Sequence, residues 1–253
     1  MCFFLLHLQN LFFMANQLNV LLVHGAWADG SSWGKVIKIL HEAGYNAVAV
    51  QNPLTSLADD TETVRRLAET LQGPILLVGH SYGGVVITEA AHKIPNVVGL
   101  VYIAAFAPEA GESINILASL GAPPPGAVAV RPDKYGFLWI DRELFAANFC
   151  QDVDQDEALV MAAAQGPLAA KCFDDKVTNA GWKDLPCYYQ VSEDDRMIPP
   201  PAEKFMAERM KAKTIISIPG ASHVSMVSHP EKVADLVLKA AKEVVVPIPV
   251  QTV

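Results

Sequence analysis

Apolar residues fall along this chain in two alternating patterns. Short continuous runs occupy 19–24 (NVLLVH), 46–50, 74–79 (PILLVG), 97–105 (VVGLVYIAA), 187–191 and 214–218. A run with no polar alternation suits a strand covered on both faces. Between the runs lie segments with apolar residues at helical spacing. The first, 31–43, places Trp33, Val36, Ile37 and Leu40 on one face, with Ser31 or Ser32 as cap and Gly44 as stop. The second, 57–71, opens with Asp59, Asp60 and Glu62, whose charge opposes the helix dipole. Helices are also predicted over 82–92, around 205–210 and over 231–243. Strand–helix alternation of this kind implies an α/β fold with a mostly parallel sheet of about six strands flanked by helices.

One stretch breaks the rhythm. From 108 to 185 the sequence offers only short helical pieces (114–120, 142–149, 155–165, 168–173) separated by Pro and Gly. Structureless loops longer than ~15 residues are uncommon in compact domains, so an inserted helical cap is expected over 109–185. The sheet-bearing core would then comprise 19–108 and 186–246. The cap's aromatic residues suit a lid over an apolar pocket, and Phe137 and Trp139, with Trp27 from the core, are the expected pocket residues.

The N-terminal run at 2–14 (CFFLLHLQNLFFM) has no Lys or Arg before it and is interrupted by His7, Gln9 and Asn10. It falls short of the ~18–20 residues that span a bilayer, and no small-residue cleavage site follows. It reads as part of an extension over 1–18, ahead of a secretory signal or a surface-lying helix, with Met14 as the natural start. A cytoplasmic protein, monomeric or homodimeric, is the expectation.

Composition narrows the function class. With 51% hydrophobic and 18% charged residues the 253-residue chain is not disordered. Nineteen Lys and Arg against 27 Asp and Glu give a net charge of −8 with no basic stripe, which argues against a nucleic-acid partner. The four cysteines lack CxxC spacing and read as reduced, buried thiols, with a Cys150–Cys172 disulfide as the alternative.

The chemistry concentrates at strand ends. Gly79-His80-Ser81-Tyr82-Gly83 fits G-x-S-x-G, directly after one strand and opening a helix. A turn that sharp exposes a serine Oγ, needs glycine at its close contacts, and points helix N–H groups at a developing anion. Ser81 is therefore the candidate nucleophile. Of seven histidines, His223 lies in a glycine-containing loop after the last strand, at the sheet edge where open α/β folds gather ligands, and is the candidate base. His24 reads as a loop organiser. The loop after the fifth strand offers Glu193, Asp194 and Asp195 as the acid that would orient the base, with Asp195, farthest from the strand, preferred. The amides of Tyr82 and Ala26 are the candidate oxyanion donors.

The strand-HGAW segment, GHSYGG, SEDDRMIP and GASHVSM followed by HPEKV together resemble the α/β-hydrolase superfamily over 20–242. The absence of a large N-terminal sheet extension and the GASH-x-x-M ending resemble its small esterase branch, which also holds plant methylesterases and hydroxynitrile lyases. The resemblance implies an α/β-hydrolase fold and the Ser81, Asp195, His223 triad. It strengthens Asp195 because the acid of such enzymes stands four residues before a proline, here Pro199. Those lyases carry a lysine directly after the catalytic histidine that accommodates cyanide; Val224 stands here, which disfavours that reaction. The expected activity is cleavage of small to medium hydrophobic acyl or aryl esters through an acyl-enzyme, with no metal or organic cofactor. Carbon–carbon or lactone hydrolysis, cofactor-free perhydrolysis and a small-molecule receptor on the same scaffold are the alternatives.

Overall fold

The computed structural model describes residues 18–244; the apolar run at 2–14, Cys2 and a start at Met14 lie outside them. In chain order the first half contains β1 (Asn19–Val23), α1 (Gly34–Glu42), β2 (Asn46–Ala49), α2 (Leu57–Ala68), β3 (Ile75–His80), α3 (Tyr82–Ala90) and β4 (Val97–Ile103). An excursion follows with α4 (Ile114–Ala118), β5 (Val130–Pro132), β6 (Phe137–Ile140), α5 (Arg142–Phe149), α6 (Gln155–Ala164) and β7 (Leu168–Ala169). The chain then rejoins the core as β8 (Cys187–Ser192), α7 (Pro200–Arg209), β9 (Thr214–Ile218), α8 (Ser225–Ser228) and α9 (Pro230–Val244).

Six strands pair in the order β2-β1-β3-β4-β8-β9, every pair parallel. The continuous apolar runs have the burial that their pattern demands: β1, β3 and β8 are buried at every position. The edge strand β9 alternates instead between partly buried and exposed residues along most of its length. The chain runs from β1 outward to β2, then crosses back to β3 and proceeds the other way. The carboxyl ends of β1 and β3 therefore flank the point where the winding reverses, where sheets of this kind leave a crevice.

The helices follow from local chemistry. Ser56 caps α2, its Oγ accepting the Asp59 N–H at 3.0 Å. The segment after β1 begins one turn earlier than its serines suggest: Asp29 Oδ1 accepts the Ser31 N–H at 2.6 Å and caps a 3-10 turn over Gly30–Trp33 that leads into α1. Helix α9 buries one stripe (Val233, Ala234, Leu236, Val237, Ala240, Ala241, Val244) and exposes the charged face of Glu231, Lys232, Asp235, Lys239, Lys242 and Glu243. Helix α3 is buried at every residue, so apolar side chains all round it find partners.

The excursion departs from an all-helical reading. It contains an antiparallel sheet, β5-β6-β7, with Val130 opposite Ile140, Arg131 opposite Trp139 and Leu138 opposite Leu168. Asp133 builds the hairpin turn: its Oδ1 accepts the N–H groups of Tyr135 and Phe137, and Gly136 supplies a φ of +85°. The piece expected as a helix over 168–173 is instead β7 followed by a 3-10 turn, because Leu168 and Ala169 find strand partners on β6.

Cys150, Cys172 and Cys187 are free and buried, so the alternative Cys150–Cys172 disulfide is not present. Burial pushes each thiol up to about 12, which makes them packing groups rather than nucleophiles. Among the described residues no helix is long and apolar enough to cross a membrane.

Candidate active site

Ser81 occupies the single-residue corner between β3 and α3, with φ 54° and ψ −122°. A non-glycine residue held there costs about 1–3 kcal/mol, and such strain persists only where surrounding contacts impose it. The contacts are visible. The Ser81 carbonyl accepts N–H groups from Gly84 (2.9 Å) and Phe106 (3.2 Å), while its own N–H donates to Ile103 (3.3 Å). A Cβ on Gly83 would run into the carbonyl oxygens of Val23 and His24, so the glycine lets α3 seat directly on the end of β1. Gly25 presses on the corner from the other side, where a Cβ would sit 2.6 Å from Ser81 Cβ and 2.9 Å from the His80 carbonyl oxygen.

His223 arrives on the loop after β9 and is buried. Its Nδ1 lies 2.6 Å from Asp195 Oδ2, and the other Asp195 oxygen accepts the N–H groups of Met197 (2.6 Å) and Ile198 (2.9 Å). This separates the three acids of that loop. Glu193 pairs with Lys204 near the surface and Asp194 is exposed, whereas Asp195 is buried against the histidine. The structure thus brings Asp195 and His223 together and leaves Glu193 and Asp194 outside.

His80 ties His223 to the serine corner. Its ring centroid stands 4.7 Å from that of His223, and its Nε2 lies 2.8 Å from the His223 carbonyl oxygen. A carbonyl only accepts, so Nε2 carries the proton. Burial, reinforced by the neighbouring His223, holds His80 well below the usual histidine range, leaving Nδ1 as a bare, unpartnered lone pair. His24 is neutral for the same first reason. Its Nδ1 donates to the Gly25 carbonyl at 2.9 Å and its Nε2 accepts the Asn52 N–H at 2.9 Å, an arrangement that shapes the loop carrying Ala26. Tyr82 directly follows Ser81 in the chain, and Ala26 directly follows Gly25, whose backbone presses on the Ser81 corner.

The Tyr82 side chain points away from this work. Its hydroxyl donates to Asp60 Oδ2 at 2.6 Å, and Asp60 Oδ1 accepts the Leu54 N–H at 2.7 Å. Asp60, expected among the acids at the start of α2, is therefore a buried anchor joining α2 to α3. Burial raises its carboxyl to about 6. Between about pH 4 and pH 6 the folded chain thus holds a proton that the unfolded chain releases, and Asp60 makes stability fall as pH rises through that window. Asp60→Asn removes the effect. The stability of the variant relative to wild type, read from urea unfolding, is expected to rise by up to about 2–3 kcal/mol from pH 4 to pH 7.

The expected pocket aromatics divide. Trp27 lies at the site: its ring meets Phe149 (6.4 Å) and Phe173 (6.1 Å) edge-on, and its Nε1 donates to the Leu138 carbonyl at 2.9 Å. Trp139 is engaged within its own hairpin, Nε1 donating to Asp133 Oδ2 at 3.1 Å, and Phe137 packs as a partly buried neighbour of the core. Phe149, at the end of α5, is the aromatic residue that reaches His223, at 5.2 Å between ring centroids. The excursion also holds the histidine loop, since the Ser222 N–H donates to Asp152 Oδ2 at 2.9 Å.

Residues 20–236 match the model described as the alpha/beta hydrolase family. The probable hydrolase R7 of Phoma sp. is 27% identical over 242 residues, covering 88% of this chain and 97% of that protein. Methylesterase 8 of Arabidopsis thaliana is 24% identical over 252 residues, covering 87% and 88%. Among solved structures, a pyrethroid hydrolase from Sphingobium faniae superposes with a TM-score of 0.75 at 22% identity, over 89% of this chain and 98% of its own. That last likeness is one of fold.

Proposed function

The chain belongs to the alpha/beta hydrolase family, and on that premise we propose that it hydrolyses carboxylic esters carrying small to medium hydrophobic acyl or aryl groups. The observation that carries this reading is the buried Asp195–His223 pair, at 2.6 Å, joined through His80 to a serine held at φ 54° on a strand–helix corner. Ser81 Oγ attacks the ester carbonyl while His223 Nε2 takes its proton. Asp195 fixes the other ring nitrogen as a donor and opposes the charge that forms on the imidazole. The amides of Ala26 and Tyr82 receive the oxyanion. His223 then delivers the proton to the leaving alcohol, and a water, deprotonated by the same ring, releases the acid from Ser81.

The substrate class follows from the surroundings. A cavity of about 540 Å³ is lined by Phe106, Leu117, Met197, Ile198, Phe205 and Met206 with their neighbours. Phe106 donates its N–H to the Ser81 carbonyl, and Met197 and Ile198 donate theirs to Asp195, so the walls of this cavity begin at the proposed triad. Walls of that kind favour an apolar group over a charged polymer. The segment over 109–185 acts as the cap, with Phe149 against His223 and Trp27 behind it against Phe149 and Phe173, while Phe137 and Trp139 belong to its hairpin. A hollow of about 570 Å³ on the outer flank of α2 (Thr63, Arg66, Leu67, Glu69, Thr70) contains none of these residues and takes no part.

The test is a panel of chromogenic acyl and aryl esters of graded size, run beside labelling with a fluorophosphonate. Turnover of apolar esters, together with an adduct mapped to Ser81, is the expected result. An adduct without turnover of any ester would move the reaction to lactones, carbon–carbon bonds or peracid formation. Neither turnover nor adduct would overturn the hydrolase mechanism and favour a receptor.

A further inference from the structure

Behind Asp195 lies a second carboxyl that the proposed reaction does not use. Glu203, in the first turn of α7, is fully buried. One of its oxygens, Oε2, accepts the Ser192 N–H at 3.1 Å; the other, Oε1, has neither solvent nor a hydrogen-bond partner. Ser192 joins the two acids: its N–H donates to Glu203 and its carbonyl accepts the Asp195 N–H at 3.3 Å, which sets the two carboxyls side by side. The other titratable groups facing it are Tyr189 on β8 and Glu193 on the loop after β8, and no salt bridge reaches it among the described residues.

Two carboxyl groups so placed cannot both be ionised, because each raises the cost of charging the other and no cation compensates. The donors decide which one keeps a proton. Asp195 receives two backbone N–H groups and the His223 ring, whereas Glu203 receives one N–H and has an oxygen left over. We propose that Glu203 is held as a neutral carboxylic acid whose Oε1–H donates to the Asp195 carboxylate, aiming that carboxylate at His223. The orphaned oxygen becomes a donor, and Asp195 gains a further hydrogen bond on the side away from the histidine. Burial, with Asp195 beside it, holds Glu203 well above the usual glutamate range, in the direction this arrangement needs. Glu203 is thus a positioning residue: it touches the acid of the triad and not the substrate.

This inference rests on the triad reading above, and its first test does not. Infrared spectra of the wild-type protein near pH 8, where Asp60 at about 6 is ionised, should retain the carbonyl stretch of a protonated carboxyl. The stretch should vanish in Glu203→Gln. A wild type showing only carboxylate bands at that pH overturns the proposal whether or not any ester is cleaved. Kinetics supply the second test. Glu203→Leu removes the donor and is expected to lower kcat about 10- to 100-fold while KM moves less than about 2-fold. Glu203→Gln keeps an acceptor for Ser192 and offers an N–H to Asp195, so it should recover kcat to within about 3-fold of wild type. The acid limb of its kcat/KM profile should stay in place. An ionised Glu203 requires the opposite, since losing its charge would draw that limb down by about one pH unit. Such a displacement, or wild-type kcat in Glu203→Leu, overturns the proposal. Should either variant fail to fold, the wild-type spectrum still decides.

Discussion

Ser81→Ala should lower kcat for the best ester of the panel by about 10⁴–10⁶ while leaving the fold intact. The size follows from the division of labour at the corner. In the proposed reaction the hydroxyl forms the acyl bond, and with it gone only the two proposed oxyanion amides and the pocket would remain to accelerate attack by water. The fold is indifferent because alanine has the same Cβ in the same left-handed conformation, and the hydrogen bonds that hold the corner all belong to backbone groups of Ser81, Gly84, Phe106 and Ile103. Single-turnover and steady-state assays on protein with a wild-type circular dichroism spectrum and melting midpoint make the measurement. A residual rate above about one per cent of wild type would assign the nucleophile to another residue.

Asp195→Asn should cost about 10³–10⁴ in kcat, and the reason is which proton sits on which nitrogen. Met197 and Ile198 both donate to Asp195 Oδ1, so an asparagine there must turn its carbonyl oxygen toward those two amides. Its NH₂ then occupies the place of Oδ2 and donates to His223 Nδ1. The ring proton is driven to Nε2, the nitrogen that the proposed mechanism needs to accept from Ser81, and the proposed base is blocked in its neutral form. The same substitution at Asp194, which is exposed, should stay within about 2-fold of wild type. A catalytically competent Asp195→Asn beside an inactive Asp194→Asn would reverse the assignment of the acid.

The core and the proposed site were legible in the sequence for different reasons. Strands buried on both faces must be apolar at every position, and β1, β3 and β8 can be read directly from NVLLV, ILLVGH and CYYQVS. The serine corner announces itself because only glycine fits its contacts. The acid was ambiguous along the chain: three adjacent carboxylates differ only in what the fold brings to them, Lys204 for one, water for another and His223 for the third.

The excursion is less legible. Pro132 argued against a strand at β5, and β7 is two residues long with its partner about thirty positions away, beyond the reach of any local period. The chain does carry a turn signal there, Pro-Asp-Lys-Tyr-Gly ahead of FLWI. Glu203 carried no signal of its own. In PPAEKFMAER an acid beside a lysine reads as a solvated helix face, and only tertiary packing against β8 and its following loop buries it.

The indole of Trp27 hydrogen-bonds to the backbone of β6, and Trp27 directly follows Ala26 in the chain. Any ester bulky enough to shift the β5–β7 sheet outward would act through this bond. That displacement would pull on the tether and carry the Ala26 amide off its proposed place beside the developing negative charge. Bulk is then penalised at the moment of reaction more than at the moment of entry. Oversized esters would be bound and left intact, so the protein would be inhibited by close analogues of its own substrates that it admits but does not cleave.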